Sequence, residues 1–384
     1  MLVATLTHIP RLLRYSFLPV ADGAYSRFSW QRLLVMLLFW PLFAGYLLIT
    51  GLFLWLDHCF FPQFRKVEVR APVFVLGIPR SGTTFLHRLL AGDQERFTTM
   101  TLWELIFAPS ITQRALWRGL GTLDRLIGKP AQRLLGWIEN KIFSGLDGVH
   151  STRLHDPEED YLALIPVLQC FLLVLPFGDP RFLDLSRFDD AASAQQKSRL
   201  LRFYRGLIQR HLYVHGVDKI FLSKNPSFTP MLNTLASGFS DARFIACVRN
   251  PNQAVPSQVS SILVGARLFS GHVDTGWWRT HLMDMLAYYY QHLMRHLPAL
   301  LQAHSVVRME QLAADPQQHI EQLYRAFGLT PSHTYQHWLQ AEADKARHYR
   351  SGHQYQGHRL GISADALFTQ FNFVYQQLGY EAAE

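Results

Sequence analysis

The hydrophobic and polar positions divide the chain into an uncharged apolar run near the amino terminus and a longer region of alternating short patterns. Residues 33–56 have the sequence LLVMLLFWPLFAGYLLITGLFLWL, which contains no charged side chain. This is about the length that a helix needs to cross the hydrocarbon core of a bilayer. A cleaved signal peptide has a shorter apolar region that lies closer to the start. We therefore expect residues 1–62 to be a membrane-anchoring segment that stays on the protein.

The topology of this anchoring segment has two interpretations. Pro41, Gly45 and Gly51 can kink a transmembrane helix or turn it into a re-entrant hairpin. Arginine and lysine residues flank the apolar run on both sides, so the positive-inside rule does not decide an orientation. A hairpin that returns to the face it came from fits two basic flanks better than a straight transmembrane helix does, and both interpretations remain open.

From residue 67 onward, short apolar runs alternate with segments of helical periodicity. The runs predict buried strands, and the segments between them predict helices. The predicted strands are Val73–Gly77, 219–223, 242–249 and 305–308, and the clearest predicted helices are 83–90, 199–214 and 277–301. An apolar stretch at 162–177 is too short to span a membrane and predicts a buried helix. Strands that alternate with helices predict an α/β fold for residues 67–384, with a mostly parallel sheet flanked by helices.

A basic amphipathic pattern follows the first of these predicted helices. Its arginines recur at helical spacing while its large apolar residues occupy another face: Arg114, Arg118, Arg125 and Arg133 against Leu116, Leu120, Leu123 and Ile127. Gly128 and Pro130 interrupt the pattern, which therefore predicts two helices in a hairpin. Such a hairpin is either an ordinary solvated element or an element that lies on a membrane surface, and the sequence leaves both open.

Composition narrows the classes of partner. The chain of 384 residues is 49% hydrophobic and carries a formal charge of +8. That charge indicates an anionic partner, which is a nucleic acid, a membrane surface or a small molecule. We expect no nucleic acid, because the chain has no dense run of lysine and arginine and no recognisable nucleic-acid-binding module. Its three cysteines, Cys59, Cys170 and Cys247, are far apart, so we expect neither a disulfide framework nor a metal site.

The most informative motif is GIPRSGTT at residues 77–84, between a predicted buried strand and a predicted helix. Its spacing is that of the phosphate-binding P-loop, with Thr83 where that loop carries its lysine. Backbone N–H groups of such a loop bind anions at the N-terminus of the following helix. Arg80 supplies a cation, but a nucleoside triphosphate would lack the lysine that holds its terminal phosphates. The loop therefore suits a phosphate or phosphosulfate better than a triphosphate with magnesium.

A second candidate anion site follows the predicted strand at 242–249. That strand ends in Arg249, and Ser257 lies eight residues further on, where the next helix is predicted to start. A guanidinium and a hydroxyl at a helix N-terminus are suitable ligands for an anion. Two anion sites at the ends of two parallel strands fit the two ends of an adenosine bisphosphate.

Both motifs resemble those of the sulfotransferases that use 3′-phosphoadenosine 5′-phosphosulfate (PAPS), a family with a P-loop-like fold. The arginine form of the loop is similar to that of tyrosylprotein sulfotransferases and many bacterial sulfotransferases. The resemblance implies that Arg249 and Ser257 bind the 3′-phosphate of the donor. It also implies that the 5′-phosphosulfate is bound by the loop residues Pro79, Arg80, Ser81, Gly82, Thr83 and Thr84.

Three further motifs and a C-terminal stretch extend the resemblance from about residue 67 to the carboxyl terminus. The motifs are LWE at residues 102–104, HDPEED at 155–160 and SKNP at 223–226. Residues 353–363 resemble the loop that closes over the nucleotide, which implies a nucleotide contact for Tyr355. The K-x-H-x-P base motif of cytosolic sulfotransferases is absent, because no histidine follows Lys224 within SKNP.

The resemblance also implies roles in catalysis. Arg80 faces the charge of the transferred group, and Lys224 reaches the bridging oxygen or the sulfonate. The acceptor hydroxyl needs a base, and Glu104 matches the position of the catalytic glutamate of the family. His155 and Glu159 are the other candidates for this base.

These motifs predict an enzyme that transfers a sulfuryl group from PAPS to an acceptor hydroxyl, releases 3′-phosphoadenosine 5′-phosphate (PAP) and requires no metal. The apolar segment and the basic hairpin indicate a membrane-associated acceptor such as a lipid or glycolipid. One alternative is a P-loop kinase or NTPase, which would require the loop lysine that this chain lacks. Another is a non-catalytic membrane-anchored nucleotide-binding protein. We expect the cytoplasmic face of the inner membrane for a bacterial protein and the Golgi lumen for a eukaryotic one.

Overall fold

The computed structural model describes residues 7–143, 153–348 and 360–381, with the backbone alone for residues 138–143 and 346–348. The strands are β1 (Val73–Gly77), β2 (Phe97–Thr98), β3 (Ile220–Lys224), β4 (Arg243–Val248) and β5 (His304–Arg308). The helices before β3 are α1 (Ile9–Phe17), α2 (Trp30–Phe60), α3 (Thr83–Ala91), α4 (Leu102–Phe107), α5 (Ile111–Leu126), α6 (Pro130–Phe143), α7 (Val174–Phe177), α8 (Arg181–Asp184), α9 (Phe188–Ala191) and α10 (Ala194–His215). The later helices are α11 (Leu232–Gly238), α12 (Pro251–Phe269), α13 (Thr275–His296), α14 (Met309–Ala314), α15 (Pro316–Ala326), α16 (His333–His348) and α17 (Ala364–Leu378). Short 3₁₀ helices lie at Pro62–Lys66, Asp160–Val167, Phe171–Leu173, Leu185–Arg187, Pro226–Met231 and Leu297–Ala299.

The strands form one parallel sheet in the order β2-β3-β1-β4-β5, which confirms the predicted α/β class. β1 is central, with Val75 paired to Lys224 on one side and to Ile245 on the other. All of β1 is buried, because helices cover both faces of a parallel sheet and its strands are therefore continuously apolar. The carboxyl ends of β1, β3 and β4 lie side by side at the edge where ligands bind in open α/β sheets.

Successive side chains of β1 point into two different cores. Val73 and Val75 belong to the same buried cluster as Leu86 of α3. Phe74 points the other way and stacks on Phe244 with ring centroids 5.5 Å apart, and its centroid lies 5.4 Å from that of Phe239. These contacts pack α3 against one face of β1 and the residue that follows α11 against the other, and so help to fix the loop that follows β1.

The Phe74 side chain is expected to be a major source of stability. It is 1% exposed, so Phe74→Ala leaves a cavity and should lower the free energy of unfolding by about 3–5 kcal/mol. Urea denaturation followed by circular dichroism measures this change. The matched control is Phe60→Ala, because Phe60 is 64% exposed and its removal should cost less than about 0.5 kcal/mol. Equal losses for the two variants would contradict the assigned core.

The N-terminal apolar run forms one unbroken helix, α2, of 31 residues. The re-entrant hairpin is therefore wrong. Pro41 lies within the helix, on its exposed side, while Met36 and Phe43 on the other side pack into the body at 0% and 6% exposure. A proline removes one helical hydrogen bond, and packing of the opposite side holds the helix together across that position.

Among the described helices, α2 alone is long and apolar enough by itself to cross a membrane, with a mean hydropathy of 2.2. Only 17% of the 18-residue window that meets this criterion is buried. The 3₁₀ helix Asp160–Val167 and the helical segment Phe171–Phe177 after it meet the same criterion only when they are taken together, and the two are bent by 57° relative to each other. The single helix predicted at 162–177 is thus wrong in form, although the segment is largely buried, because Pro166 and the left-handed Leu168 (φ 54°) break it.

The basic hairpin predicted after the helix at 83–90 is confirmed as α5 and α6. Gly128 and Lys129 between the two helices have positive φ values of 88° and 61°, which makes the tight reversal. Only the first turn of α5 is buried, at Ile111, Gln113 and Arg114. The remainder of α5 extends away from the body of the protein.

Candidate active site

The loop between β1 and α3 has the backbone of an anion-binding loop. Gly77 has a φ of 132°, and a Cβ there would lie 2.0 Å from the carbonyl oxygen of Cys247, so only glycine fits. Gly82 caps α3 in a left-handed conformation with a φ of 83°. Arg80 is also left-handed, with a φ of 67°, a conformation that residues other than glycine adopt uncommonly. The loop therefore leads into the positive N-terminal end of α3, where an anion is stabilised.

Some side chains of the loop hold the loop in place, and one contacts a neighbouring strand end. Pro79 and Thr83 are buried. The Ser81 hydroxyl is also buried, and it lies 2.5 Å and 2.9 Å from the carbonyl oxygens of Ile78 and Cys247, to which it donates. Ser81 thus fixes the loop with its side chain. Thr84 differs, because its hydroxyl oxygen accepts from Lys224 Nζ at 3.2 Å.

The two anion sites predicted from the sequence lie next to each other. Arg80 Nε donates to Ser257 Oγ at 2.9 Å, and Arg249 Nη1 donates to the Arg80 carbonyl oxygen at 3.0 Å. Ser257 lies in the second turn of α12 rather than at its start, because that helix begins at Pro251. The loop after β1 and the strand end of β4 therefore present two guanidinium groups and a hydroxyl at one place.

Lys224 is the centre of a buried charge cluster at the end of β3. Its Nζ atom lies 3.1 Å from Glu159 Oε1 and 3.3 Å from Glu158 Oε1, and its side chain is 1% exposed. Burial opposes the charged form of this lysine, but the attraction of Glu159 and Glu158 outweighs it and raises the pKa of Lys224. The sequence contains the SKNP and HDPEED motifs separately, and the fold brings them together beside Thr84 of the loop.

Glu159 has the electrostatics of a proton acceptor. Burial raises the pKa of Glu159, the attraction of Lys224 opposes this rise, and the like charge of Glu158 adds to it, so that the pKa is raised above its usual range. The side chain keeps 25% of its surface exposed, so a substrate can reach it. A carboxylate with a raised pKa is a stronger base than an ordinary glutamate.

Glu104 lies in a different cluster, at the N-terminus of α4. Its carboxylate caps that helix by accepting from the Thr101 backbone N–H at 3.0 Å. Its Oε1 atom lies 2.6 Å from His215 Nε2 and 3.5 Å from Arg114 Nη1. Burial alone would raise the pKa of Glu104, but the His215 hydrogen bond and the Arg114 charge hold it well below the usual range. Such a carboxylate is a weak base.

Glu104, His211 and His215 are also the described residues that could hold a metal ion, since their ligand atoms lie within 4.8 Å of one another. The ring of His211 is buried, with its Nδ1 atom 3.8 Å from Glu104 Oε2. The Arg114 guanidinium already neutralises the carboxylate at 3.5 Å, and a divalent cation would be repelled by it. The arrangement is that of a buried ion pair supported by two histidines.

His155 and the acidic segment after it are fixed to the start of α4. His155 itself is exposed. The backbone N–H of Leu102 donates to the Asp156 carbonyl oxygen at 3.1 Å, and that of Trp103 donates to the Leu154 carbonyl oxygen at 2.8 Å. These bonds hold the segment so that Glu158 and Glu159 point at Lys224.

A buried network that sequence analysis missed supports this cluster. Tyr204 OH donates to Asp160 Oδ2, and Ser223 Oγ donates to Asp160 Oδ1 at 3.0 Å. Burial raises the pKa of Asp160 to about 7, against the hydrogen bonds from Tyr204 and Ser223 that lower it. Asp160 follows Glu159 and Ser223 precedes Lys224, so the network ties the segments that carry Glu159 and Lys224 together. The acidic motif was a signal for Asp160, whereas nothing local marks Tyr204.

The C-terminal loop predicted to close over the nucleotide is only partly described. Tyr355 lies outside the described residues, and its nucleotide contact stays a prediction. At the described end of the loop, Ile362 is 4% exposed and belongs to the main core. Arg279 Nη1 donates to the Leu360 carbonyl oxygen at 3.3 Å, which anchors this end of the loop to α13.

Comparison with protein families and curated proteins gives consistent matches. A model described as the sulfotransferase family matches residues 72–333. The curated omega-hydroxy-beta-dihydromenaquinone-9 sulfotransferases Stf3 of Mycobacterium bovis and Mycobacterium tuberculosis are each 25% identical over 278 residues, which is 67% of this chain. The matched part is 63% of the length of each relative.

Solved structures show the same fold. Sulfotransferase STF9 from Mycobacterium avium has a TM-score of 0.72 at 17% identity, covering 88% of this chain and 84% of that one. Sulfotransferase STF1 from Mycobacterium tuberculosis has a TM-score of 0.69 at 21% identity, covering 95% of this chain and 91% of that one. The 95% of this chain that aligns with STF1 is more than residues 67–384 make up. The likeness in fold therefore extends into the N-terminal segment.

Proposed function

Because the chain belongs to the sulfotransferase family, we propose that it transfers the sulfuryl group of PAPS to the hydroxyl group of a lipid-like acceptor at a membrane. The observation that carries the proposal is the position of Lys224 and Glu159 beside Thr84 of the phosphate loop. A buried cation and a basic carboxylate next to an anion-binding loop are what in-line transfer of a charged group to a hydroxyl requires.

The donor would lie across the carboxyl ends of β1 and β4. The loop of residues 77–84 and the N-terminus of α3 are suited to the 5′-phosphosulfate, with Arg80 as its cation. Arg249 and Ser257 are suited to the 3′-phosphate. The hydrogen bond from Arg80 Nε to Ser257 Oγ at 2.9 Å supports one bisphosphate ligand across both sites, because it makes them adjacent.

We assign the general base to Glu159 rather than to Glu104. The acceptor oxygen attacks sulfur as its proton passes to the Glu159 carboxylate. The bond between sulfur and the bridging phosphate oxygen breaks, and PAP leaves. Lys224 and Arg80 stabilise the negative charge that grows on the transferred group and on the leaving phosphate. Glu104 is less suited to accept the proton, since its pKa is held low by His215 and Arg114.

A lipid-like acceptor is supported by the surface of the chain. The Stf3 relatives are sulfotransferases of a hydroxylated dihydromenaquinone by name, and a quinone with a hydroxylated isoprenoid tail is an apolar molecule. The apolar helix α2 exposes large side chains, for example Leu38 at 68% and Leu48 at 73%. A protein with this surface meets its acceptor at a membrane, where such molecules are dissolved.

Calorimetry without magnesium tests the donor half of this proposal. Purified protein should bind PAP with micromolar affinity, and ATP with magnesium should not compete, because the loop lacks the P-loop lysine. Binding of ATP with magnesium in place of PAP would contradict the proposal and favour a kinase or NTPase. Binding of PAP without sulfuryl transfer to any hydroxylated lipid would favour a non-catalytic binding protein.

A further inference from the structure

Helix α2 is attached to the body of the protein near both of its ends. Near the start, Arg32 Nη2 donates to the carbonyl oxygens of Pro176 and Phe177 at 3.0 Å and 3.1 Å. Near the end, Asp57 Oδ2 accepts from Arg210 Nε at 2.7 Å. Arg32 is 5% exposed and Asp57 is 0% exposed. The arginine and the aspartate of this apolar helix therefore both face the protein.

The distance between these two attachments is longer than the hydrocarbon core of a membrane is thick. Arg32 and Asp57 are separated by roughly 38 Å along the helix axis, at 1.5 Å per residue, whereas the hydrocarbon core of a bilayer is about 30 Å thick. The helix also packs against the body between these two attachments, since the ring centroids of Phe43 and Phe177 lie 5.4 Å apart. A helix perpendicular to the membrane would therefore draw the attached body, with its buried charges, through the hydrocarbon. The geometry is that of a helix lying in the plane of the membrane.

The side of α2 opposite these attachments is apolar and exposed. Leu34, Leu38, Leu42, Leu48, Leu52 and Trp55 are between 53% and 73% exposed. On an α-helix the exposed residues fall within an arc of roughly 140°, opposite to Arg32 and Asp57. Trp30 and Trp55, near the two ends, are 70% and 60% exposed, and tryptophan prefers the boundary between headgroups and hydrocarbon.

The α5–α6 hairpin adjoins the end of α2. Asp57 of α2 accepts from the backbone N–H of Thr112 at 2.8 Å, so α5 begins where α2 ends. Beyond its first turn, α5 and the turn after it carry a single apolar stripe of Leu116, Leu120, Leu123 and Ile127, which are 47%, 44%, 58% and 72% exposed. Arg118, Arg125, Lys129 and Arg133 are exposed on the same hairpin. Apolar residues interleaved with arginine and lysine match the interface of an anionic bilayer.

We propose that the exposed sides of α2 and of the α5–α6 hairpin form a lipid-docking surface, which enters one leaflet of an anionic bilayer with α2 parallel to the membrane plane. The protein then lies on one face of the membrane and does not cross it. This proposal extends the membrane part of the proposed function and rests on it, whereas it does not depend on sulfuryl transfer. An apolar acceptor dissolved in that leaflet reaches the protein without leaving the lipid.

Flotation with vesicles tests the docking surface. The full-length protein should float with vesicles of equal parts phosphatidylcholine and phosphatidylglycerol. The double variants Leu38→Glu/Leu42→Glu and Leu120→Glu/Leu123→Glu should each lower the partition coefficient about tenfold or more. The reason is that a leucine favours membrane binding through the burial of its apolar side chain in lipid, which a glutamate does not provide. The matched control is Leu301→Glu, because Leu301 is a fully exposed leucine that lies outside the surface, and this variant should float like the wild type.

Flotation can also contradict the proposal. Equal flotation of all variants would overturn it, and so would a soluble wild-type dimer that both double variants convert to monomer without any vesicle binding. Binding of PAP, measured on the same samples, shows that each variant is folded. A variant that no longer floats but still binds PAP supports the docking surface. A wild-type protein that does not bind PAP contradicts the proposed function and leaves the flotation test of the docking surface unaffected.

Thiol labelling distinguishes a helix in the membrane plane from one that crosses it. In a Cys59→Ser background, Arg27→Cys and Gln63→Cys place a thiol at exposed positions just beyond each end of α2. A membrane-impermeant maleimide added outside reconstituted vesicles should label both thiols to the same extent before and after lysis. If one of the two reacts only after detergent lyses the vesicles, α2 crosses the membrane and the proposal is wrong.

Discussion

Glu159→Gln is expected to lower kcat by about 10²–10⁴-fold, the usual contribution of a general base, while the affinity for PAP stays nearly unchanged. The glutamine keeps the size and one hydrogen-bonding oxygen of the side chain, so it can still contact Lys224, from which Glu159 Oε1 lies 3.1 Å away. It cannot accept the proton of the acceptor hydroxyl. Single-turnover sulfuryl transfer and PAP calorimetry on the same sample separate the two effects.

Two matched variants control this result. Glu158→Gln changes the other carboxylate beside Lys224, at 3.3 Å, and should reduce kcat far less. Glu104→Gln removes a carboxylate that holds Arg114 and His215, so it should lower stability more than kcat. If Glu104→Gln abolishes transfer in a folded protein while Glu159→Gln remains active, the base is Glu104.

The pH dependence of kcat follows from the same residue. Glu159 accepts a proton only when it is ionised, and its pKa is raised by burial and by Glu158 against the attraction of Lys224. Activity should therefore fall as the pH decreases through this raised pKa, above the ordinary glutamate value of about 4.3. The acid limb of the profile should disappear in Glu159→Gln. An acid limb that persists in this variant would show that another group titrates.

Arg249→Met is the second variant with a large expected effect, and it concerns the donor. A hydrogen bond to a charged group contributes about 1.5–3 kcal/mol, which corresponds to PAP binding weakened about 10–150-fold, since 1.4 kcal/mol is a factor of ten. Adenosine 5′-phosphosulfate lacks the 3′-phosphate, so its affinity should change little. Competition calorimetry with both ligands measures the difference.

Arg249 also supports the loop, and the two ligands separate this role from binding. Its Nη1 atom donates to the Arg80 carbonyl oxygen at 3.0 Å, so a disturbed loop would weaken both ligands equally. Equal weakening would contradict the assignment of Arg249 to the 3′-phosphate. Gln253→Ala is a useful control, because it removes only the acceptor of Arg249 Nε at 2.9 Å and should alter PAP affinity little.

The fold was predictable where its signals are local. β1 is apolar on both faces and is followed directly by two glycines at fixed spacing, and each of these features is visible in a few residues. The strand end at Arg249 is marked in the same way. Local patterns determine strands, helices and loops of this kind, so their prediction needed no knowledge of distant contacts.

The roles of Glu104 and Glu159 show where sequence reasoning stops. Both are carboxylates in motifs that resemble those of the family, and the resemblance favours Glu104. Their difference comes from residues far along the chain: Arg114, His211 and His215 surround Glu104, whereas Lys224 contacts Glu159. A pKa depends on such distant neighbours and on burial, so no local pattern contains it.

The sequence left the form of the N-terminal segment open for a related reason. Proline and glycine in an apolar run are local signals for a kink or a break, and the two basic flanks fitted a re-entrant hairpin better than a straight helix, so the sequence left both interpretations open. The packing of Met36, Phe43 and Leu54 against the body stabilises the straight helix across Pro41. Arg32 is one of the basic residues that precede the apolar run and Asp57 directly follows that run, and the fold uses both to attach the helix to the protein.

The most direct test of the account is transfer of a radiolabelled sulfuryl group from PAPS into the total lipid extract of the source cells, without added magnesium. We expect the label to enter the organic phase as a sulfate ester of a hydroxylated lipid, with release of PAP, and to depend on Glu159. Label that remains in the aqueous phase with wild-type protein that binds PAP would contradict the lipid acceptor. Transfer of the terminal phosphate of ATP instead would contradict sulfuryl transfer itself.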